Sequence, residues 1–467
     1  MRIRKRIILL AVLAAAVLVF ACAAGEETPL KAKMPETVKG YTPCEIRIQS
    51  PAAGRAVLRL VDMKKYVWLT MEADLTAGDN TVPWNGLGAN LERMFAGPYR
   101  FEITLAGEDG LERTTSVRFN INGTTPALVY ALPSSETLYL DGSEKWFIEY
   151  YVSAPCYVDM DVRQDGETVY SRSEWISAED GESIAWNGSM GRGKTIKPGD
   201  YTMFFRSRPN PDYSFTVPLY VAETRESFPE VGVTGPVVPE RGMTDAEIWE
   251  IMMKPSVVIE GHSIYTKYDL YESPNRRSRV VGSLRCATQG LEVLAVDGDW
   301  AHVRAWTHTD GSEVTGYLRK DTLTVYAPGT HYGVLVDKRS QTMDVYEDGE
   351  KIATLPVSTG KISGSYTYRE TPAGAFLTNV RMGASFAQEY FRYEYPIRYD
   401  AGNIIHGVGY TRSGRIRDYD ANLPLLGQKA SHGCVRVGPF VTEDCQVNMY
   451  WLWTHLPYHT RVIILDD

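Results

Sequence analysis

Six consecutive residues near the end of the chain, Ser431-His432-Gly433-Cys434-Val435-Arg436, hold a hydroxyl, an imidazole, a thiol and a guanidinium, and a second imidazole, His406, closes an apolar run 28 residues before the thiol. Thiol plus imidazole is the minimum equipment for a cysteine nucleophile. A free thiol is mostly protonated at neutral pH, so a neighbouring base must take its proton or lower its pKa. In an extended segment His432 and Cys434, two positions apart, project to one face, and Arg436 shares that face by the same period. Gly433 lets a substrate approach the backbone closely, and N–H groups from His432 to Cys434 can form an oxyanion hole. Ser431 and His432 would tune the site. Arg436 is placed either to hold a substrate carboxylate or to bond a structural carbonyl.

These groups need elements to hold them. His406 ends the run Asn403-Ile404-Ile405, where β-structure would bury the isoleucines and leave the imidazole at the strand's edge. Alternating or apolar stretches precede it over residues 333–337, 341–347 and 351–357, the last entered through an Asp348-Gly349 turn. The aromatic segment 390–395 is either a substrate wall or lid, or a strand of buried aromatics, and the second reading is preferred. A helix following Glu443-Asp444 would pack Val447, Tyr450 and Trp451 inward. His331, His455 and His459 show no partner signal.

In order along the chain stand Val334-Leu335-Val336-Asp337, Gln341, Tyr346, Gly349, Pro356-Val357-Ser358-Thr359-Gly360, Thr371-Pro372-Ala373-Gly374, His406-Gly407 and the hexapeptide from Ser431 to Arg436. This ordered series resembles the YkuD-type L,D-transpeptidases and covers less than a third of the chain. The resemblance implies a β-rich domain that cuts the bond between an L-centre and the terminal D-Ala of a peptidoglycan stem tetrapeptide. The acyl group is then held as a thioester and passed to an amine. It gives Cys434 the role of nucleophile and His406 that of base, held by the backbone carbonyl of Gly407. The implied acceptor is the side-chain amine of the third stem residue; water in its place would make an L,D-carboxypeptidase. No cofactor is implied. A zinc site from His406, His432, Cys434 and Cys445 lacks the paired C-x₂₋₄-C spacing of zinc ribbons, so no metal is expected. One departure is the 24 residues between His406 and Ser431, which include the charged loop 412–420.

At 467 residues the chain exceeds what one core usually supports, and its composition, 44% hydrophobic and 23% charged, is globular. With 49 basic against 58 acidic residues the net charge is −9, and no basic stripe suits a nucleic acid. The basic start Met1-Arg2-Ile3-Arg4-Lys5-Arg6, the apolar stretch 7–20 and Ala21-Cys22-Ala23-Ala24 read as a secretory signal over residues 1–23. Cleavage after Ala23 and lipidation of Cys22 both fit, and either sends the protein out of the cytoplasm, secreted or anchored at the envelope. The cysteines form no disulfide framework: beyond Cys22 five remain, and Cys44, Cys156, Cys286 and Cys445 are read as small buried hydrophobes.

The rest of the chain is expected to be mainly β and multidomain. Val82-Pro83-Trp84-Asn85-Gly86 recurs as Ile184-Ala185-Trp186-Asn187-Gly188 at an offset of 102, and each tryptophan is followed after 15 residues by a tyrosine, Tyr99 or Tyr201. A hundred-residue period of short strands and Asn-Gly turns predicts tandem β-sandwiches over 34–122 and 123–222. They resemble the Ig-like domain of flagellar hook-capping proteins, which implies the fold and not the role; the spacer reading is preferred to ligand binding. A Pro-rich linker and a helix opened by the capping box Thr244-Asp245-Ala246-Glu247 fill 223–256. Residues 257–327 resemble bacterial SH3-like barrels, serving either wall-peptide contact or as a rigid adaptor. The catalytic domain takes 328–467. Rival classes are a non-catalytic wall-binding protein and a surface assembly factor.

Overall fold

Alternation of buried and exposed positions builds most of this chain, which is mainly β and multidomain. The computed structural model describes residues 29–177, 181–224, 231–260, 265–285, 288–308, 311–361, 370–379, 381–400 and 402–467. The expected signal with Cys22, and Cys286, lie outside them. Among the described residues no helix is long and apolar enough to cross a membrane.

The chain divides into two compact units. One comprises residues up to Val38, Pro43–Asn85 and Pro98–Asn120; the other comprises Lys39–Thr42, Gly86–Gly97 and Ile121–Asp467. The segment Gly86–Gly97, inside the first expected repeat, thus groups with the residues from Ile121 to the end of the chain, His406 and Cys434 among them.

In the first unit Lys31–Lys33, Cys44–Ser50 and Gly78–Trp84 form one sheet, while Gly54–Asp62 pairs with Val67–Leu75 and with Gly97–Gly107 in another. Trp84 is buried between the two, edge-on to Phe101 and Phe119. The second repeat has the same plan, with a three-stranded sheet around Phe147–Val152 and a five-stranded sheet around Cys156–Gln164 and Gly199–Ser207. Trp186 fills its core beside Trp146 and Tyr170. The repeated tryptophan is therefore a core residue in both.

Within the second unit, Thr244 caps helix α1 (Asp245–Met252) by the expected capping box. The helix docks on the catalytic sheet: the Tyr346 hydroxyl donates to Asp245 Oδ1 at 2.8 Å, and buried Arg461 donates to the backbone carbonyls of Met252 and Lys254. Five strands between Lys267 and Arg319 make a sheet whose core holds Leu270, Leu284, Val293, Val303 and Leu318.

The catalytic segment contributes β1 (Tyr332–Asp337), β2 (Thr342–Glu347), β3 (Glu350–Ser358), β4 (Gly374–Leu377), β5 (Ser385–Gln388), β6 (Phe391–Glu394), β7 (Ile397–Arg398), β8 (Ile404–Gly407), β9 (Thr411–Ser413), β10 (Ile416–Asp418), β11 (Val435–Val437) and β12 (Arg461–Leu465). Nine strands form one sheet in the order Gln289–Gly290, β4, β12, β1, β2, β3, β11, β8, β7. The hairpins β5–β6 and β9–β10 stand apart from it. Helix α2 (Met449–His455) covers the core with Met449, Leu452 and Trp453. Trp451 is half-buried and packs against the margin of this core, edge-on to Tyr332 and stacked on His455 at 4.3 Å. His331, for which no partner was expected, bonds Asp348 at 2.8 Å.

Candidate active site

Strands β8 and β11 run side by side in parallel, with Ile405 opposite Val435, His406 opposite Arg436 and Gly407 opposite Val437. Ile405 and Val435 are wholly buried and point into the core, so the alternate residues share the other face. That face carries His406, Arg436 and, two residues before Arg436, Cys434. Thiol, imidazole and guanidinium are thus brought together on neighbouring strands.

The imidazole is oriented by a single strong contact. His406 Nδ1 lies 2.7 Å from the Gly407 carbonyl oxygen. Since a carbonyl only accepts, Nδ1 carries the proton and Nε2 keeps its lone pair. Burial and the nearby Arg436 charge push the His406 pKa down to about 3, overriding the opposite effect of the Gly407 bond. Burial also pushes the Cys434 thiol up, against a backbone hydrogen bond from Ile404 and the Arg436 and Arg398 charges. Both directions favour the uncharged forms, a thiol at Cys434 and a neutral imidazole at His406. Two aromatic edges enclose the ring: the Tyr393 centroid lies 4.8 Å from that of His406 and the Phe386 centroid 5.4 Å, both near perpendicular. Tyr393, from the aromatic segment, is both buried and a wall of the site.

Ser431, wholly buried, organises the turn before Cys434. Its hydroxyl accepts the Gly433 N–H at 3.1 Å and donates to the Cys434 carbonyl at 2.6 Å. The Gly433 N–H is thereby engaged within the turn. Gly433 has φ of +113°, and a Cβ there would lie 2.5 Å from Asn403 Oδ1. Its carbonyl accepts from Thr371 Oγ1 at 2.8 Å, and that same oxygen accepts the Gly360 N–H at 2.8 Å. Thr359 accepts the N–H groups of Ala430 and Ser431 and is gripped by Gln341 through two bonds. The motif residues Gln341, Thr359, Gly360 and Thr371 are the frame of this turn.

His432 is exposed. Arg436 lies with its guanidinium 5.6 Å from the Tyr393 ring centre, and its buried Nε has no hydrogen-bond partner among the described residues. Tyr399, also wholly buried, has a hydroxyl without a partner among them and interacts electrostatically with Cys434. Cys445 donates weakly to the Val447 carbonyl at 3.6 Å. The three acidic groups close enough to share a cation, Glu370, Asp466 and Asp467, include two that already bond the Lys338 ammonium.

A second buried constellation backs β6. Arg417 donates to Glu394 Oε1 at 2.7 Å, and Tyr410 and Tyr419 donate to the same carboxylate. The Tyr395 hydroxyl donates to Glu92 Oε1 at 2.7 Å, and Phe95 lies beneath the Arg417 guanidinium. Burial raises the Glu92 pKa to about 8, helped by the Glu394 charge and opposed by Arg417. Sequence reasoning missed this cluster, along with Phe386, Tyr399 and Asn403.

This arrangement defines a class. Residues 331–464 match the family model of the YkuD L,D-transpeptidase catalytic domain, and the segment is such a domain. The chain is 26% identical over 163 residues to the Bacillus subtilis (strain 168) protein named "Putative L,D-transpeptidase YciB", covering 34% of this chain and 73% of that one. Among solved structures it is similar to an L,D-transpeptidase from Xylanimonas cellulosilytica, with 22% identity, a TM-score of 0.21, and 30% of this chain against 64% of that chain covered, just under two thirds of its length. It is also similar to the E. faecium L,D-transpeptidase catalytic domain, with 20% identity, a TM-score of 0.22, and 29% of this chain against 98% of that chain covered.

Proposed function

We propose that this chain is a cysteine-dependent L,D-transpeptidase that cross-links peptidoglycan. The observation that supports it most is His406, with Nδ1 donating to Gly407, on the strand that pairs with β11, which begins one residue after Cys434. His406 Nε2 takes the thiol proton as the sulfur of Cys434 attacks the carbonyl between the L-centre and the terminal D-Ala. The oxygen of the tetrahedral intermediate is met by the backbone N–H groups of His432 and Cys434. On collapse the C–N bond breaks and His406 returns the proton to the departing D-Ala amine, leaving a thioester. An acceptor amine then attacks the thioester, loses its proton to His406 and expels the sulfur, which recovers that proton. Water in place of the amine gives the carboxypeptidase reaction.

Arg436 supports the same reading. A buried guanidinium nitrogen without a partner among the described residues, on the face of the proposed nucleophile, suits a substrate carboxylate better than a structural carbonyl. Such an enzyme works in the cell envelope, which agrees with an N-terminal signal and a lipid or anchor at Cys22. The sheet over 257–327 would contact the wall, and the sandwich repeats would hold the catalytic domain out toward it.

Intact-mass spectrometry of wild type and Cys434→Ala after incubation with a disaccharide-tetrapeptide tests the reading. A covalent adduct of the donor minus D-Ala, in wild type only, is expected. Release of D-Ala by Cys434→Ala at the wild-type rate would sink it.

A further inference from the structure

The β5–β6 hairpin has two faces. Phe386 and Tyr393, opposite one another in its register, turn to His406. The next pair, Ser385 and Glu394, turns the other way and lines a cavity of about 380 Å³. The segment Gly86–Gly97 supplies Arg93 and Phe95 to that cavity, and the β9–β10 hairpin supplies Arg412 and Arg415. Tyr395 and Trp453 give it an aromatic back wall. Its size falls in the range of small-ligand sites.

The charge on these walls is uneven. Three guanidiniums line the cavity against one carboxylate, and that carboxylate, Glu394, is already paired with Arg417. Arg93 spends one N–H on the Ser153 carbonyl at 3.0 Å. Arg412 and Arg415 are both exposed and form no ion pair among the described residues. Planar guanidiniums facing one space above aromatic rings recognise carboxylates carried on a partly apolar body. Neither a bare anion nor an uncharged sugar would use both features.

We infer that this cavity is a second binding site, separate from the Cys434 face, for a peptide bearing free carboxylates. The inference deepens the proposed function, on which the choice of peptidoglycan peptide as ligand rests. Because Ser385 and Glu394 alternate with Phe386 and Tyr393 along the same two strands, an occupant bears on the hairpin that walls His406.

Isothermal titration of the full-length Cys434→Ala protein with disaccharide-tetrapeptide tests it, since that protein binds without turning over. Two molecules bound per chain are expected. Adding Arg412→Gln and Arg415→Gln removes one of them, by a loss of at least about tenfold in affinity. Blocking the ligand's carboxylates as amides abolishes the second site in the parent protein and weakens the Cys434 site as well, where Arg436 faces a substrate carboxylate. Arg412→Lys with Arg415→Lys, which keeps the charge at these exposed positions, retains the second site more weakly. An isotherm unchanged by the glutamine substitutions overturns the inference, and so does displacement by citrate at the same concentration as by the peptide, which marks an adventitious anion patch. The thioester assay on wild type separates the two readings. A thioester with an unchanged isotherm sinks the second site alone; an arginine-dependent second site without a thioester sinks only the enzyme.

Discussion

On one face of the β5–β6 hairpin a half-buried thiol and a buried imidazole are held without charge; on the other a carboxylate and a guanidinium are buried together as an ion pair. Both arrangements avoid an isolated charge in a medium that solvates it poorly. They differ in what is left over. Around Cys434 the neutral groups keep a lone pair on His406 Nε2 and a proton on sulfur, which is what the proposed proton transfer requires. Around Glu394 it is the carboxylate that is already committed, to Arg417, Tyr410 and Tyr419, and the gain is rigidity. The reactive site stands on a strand braced from behind by the inert one.

The widest split between the faces should appear in activity. Cys434→Ala removes the nucleophile, and acylation measured by intact mass should fall by roughly three orders of magnitude or more. His406→Gln leaves the thiol without a base and should cost about 10²–10⁴-fold. With the imidazole pushed down to about 3 and the thiol pushed up, neither group changes charge near neutrality. The acylation rate should therefore stay level between about pH 5 and 8, the span that an unperturbed histidine would divide. An inflection near the ordinary histidine pKa would mean that a charged pair, not a neutral one, is the resting state.

Next in size is loss of the brace. Arg417→Met strands the buried Glu394 carboxylate without its cation, and should lower the unfolding free energy of this unit by about 3–5 kcal/mol in urea titration. The effect is on stability first, where the effect of Cys434→Ala is on chemistry alone. Should Arg417→Met unfold at the wild-type midpoint, the two faces do not differ in the way described.

The two faces were also unequally legible in the sequence. The hexapeptide, His406 and Gly407 could be assembled from local order, and the structure puts them on neighbouring strands. The tryptophan repeat and the capping box were equally local signals. Glu92 was invisible: a lone glutamate in a turn is ordinarily solvated, and its partner Tyr395 lies 303 residues away, beyond any periodicity. Arg417 falls in the charged stretch 412–420, where no residue type marks it out, yet it is buried. The capture of the Gly433 N–H by Ser431 depends on a rotamer that residue types do not reveal.

A smaller effect is expected at the turn itself. Gly433→Ala forces a side chain into the left-handed region and against Asn403, at a cost of about 1–3 kcal/mol. Acylation should drop while unfolding of the Glu394 face is little changed. Asn403→Gly in the same chain removes the clash and leaves the strain, so it should recover only part of the lost rate. Full recovery would mean that contact and not backbone conformation sets the requirement for glycine.

The subtlest change should come from Glu92→Gln. Burial lifts the Glu92 pKa from an ordinary 4.5 to about 8, so the folded protein holds a proton there that the unfolded chain has lost. Stability due to this group is then highest below the ordinary carboxyl value and declines as pH rises toward about 8, by at most about 1.4 kcal/mol per pH unit. His406 runs the opposite way. Its lowered pKa means the unfolded chain binds the extra proton, so its contribution is complete above the ordinary histidine value and is lost on acidification toward about 3. A glutamine at position 92 still accepts from the Tyr395 hydroxyl, so at pH 6 the variant should match wild type within about 0.5 kcal/mol. At pH 8.5 it should be the more stable of the two, because no carboxylate is forced to ionise beside Glu394. Parallel stability curves from pH 6 to 8.5 would show that Glu92 is charged throughout, and the cluster behind β6 would then hold two anions against one cation.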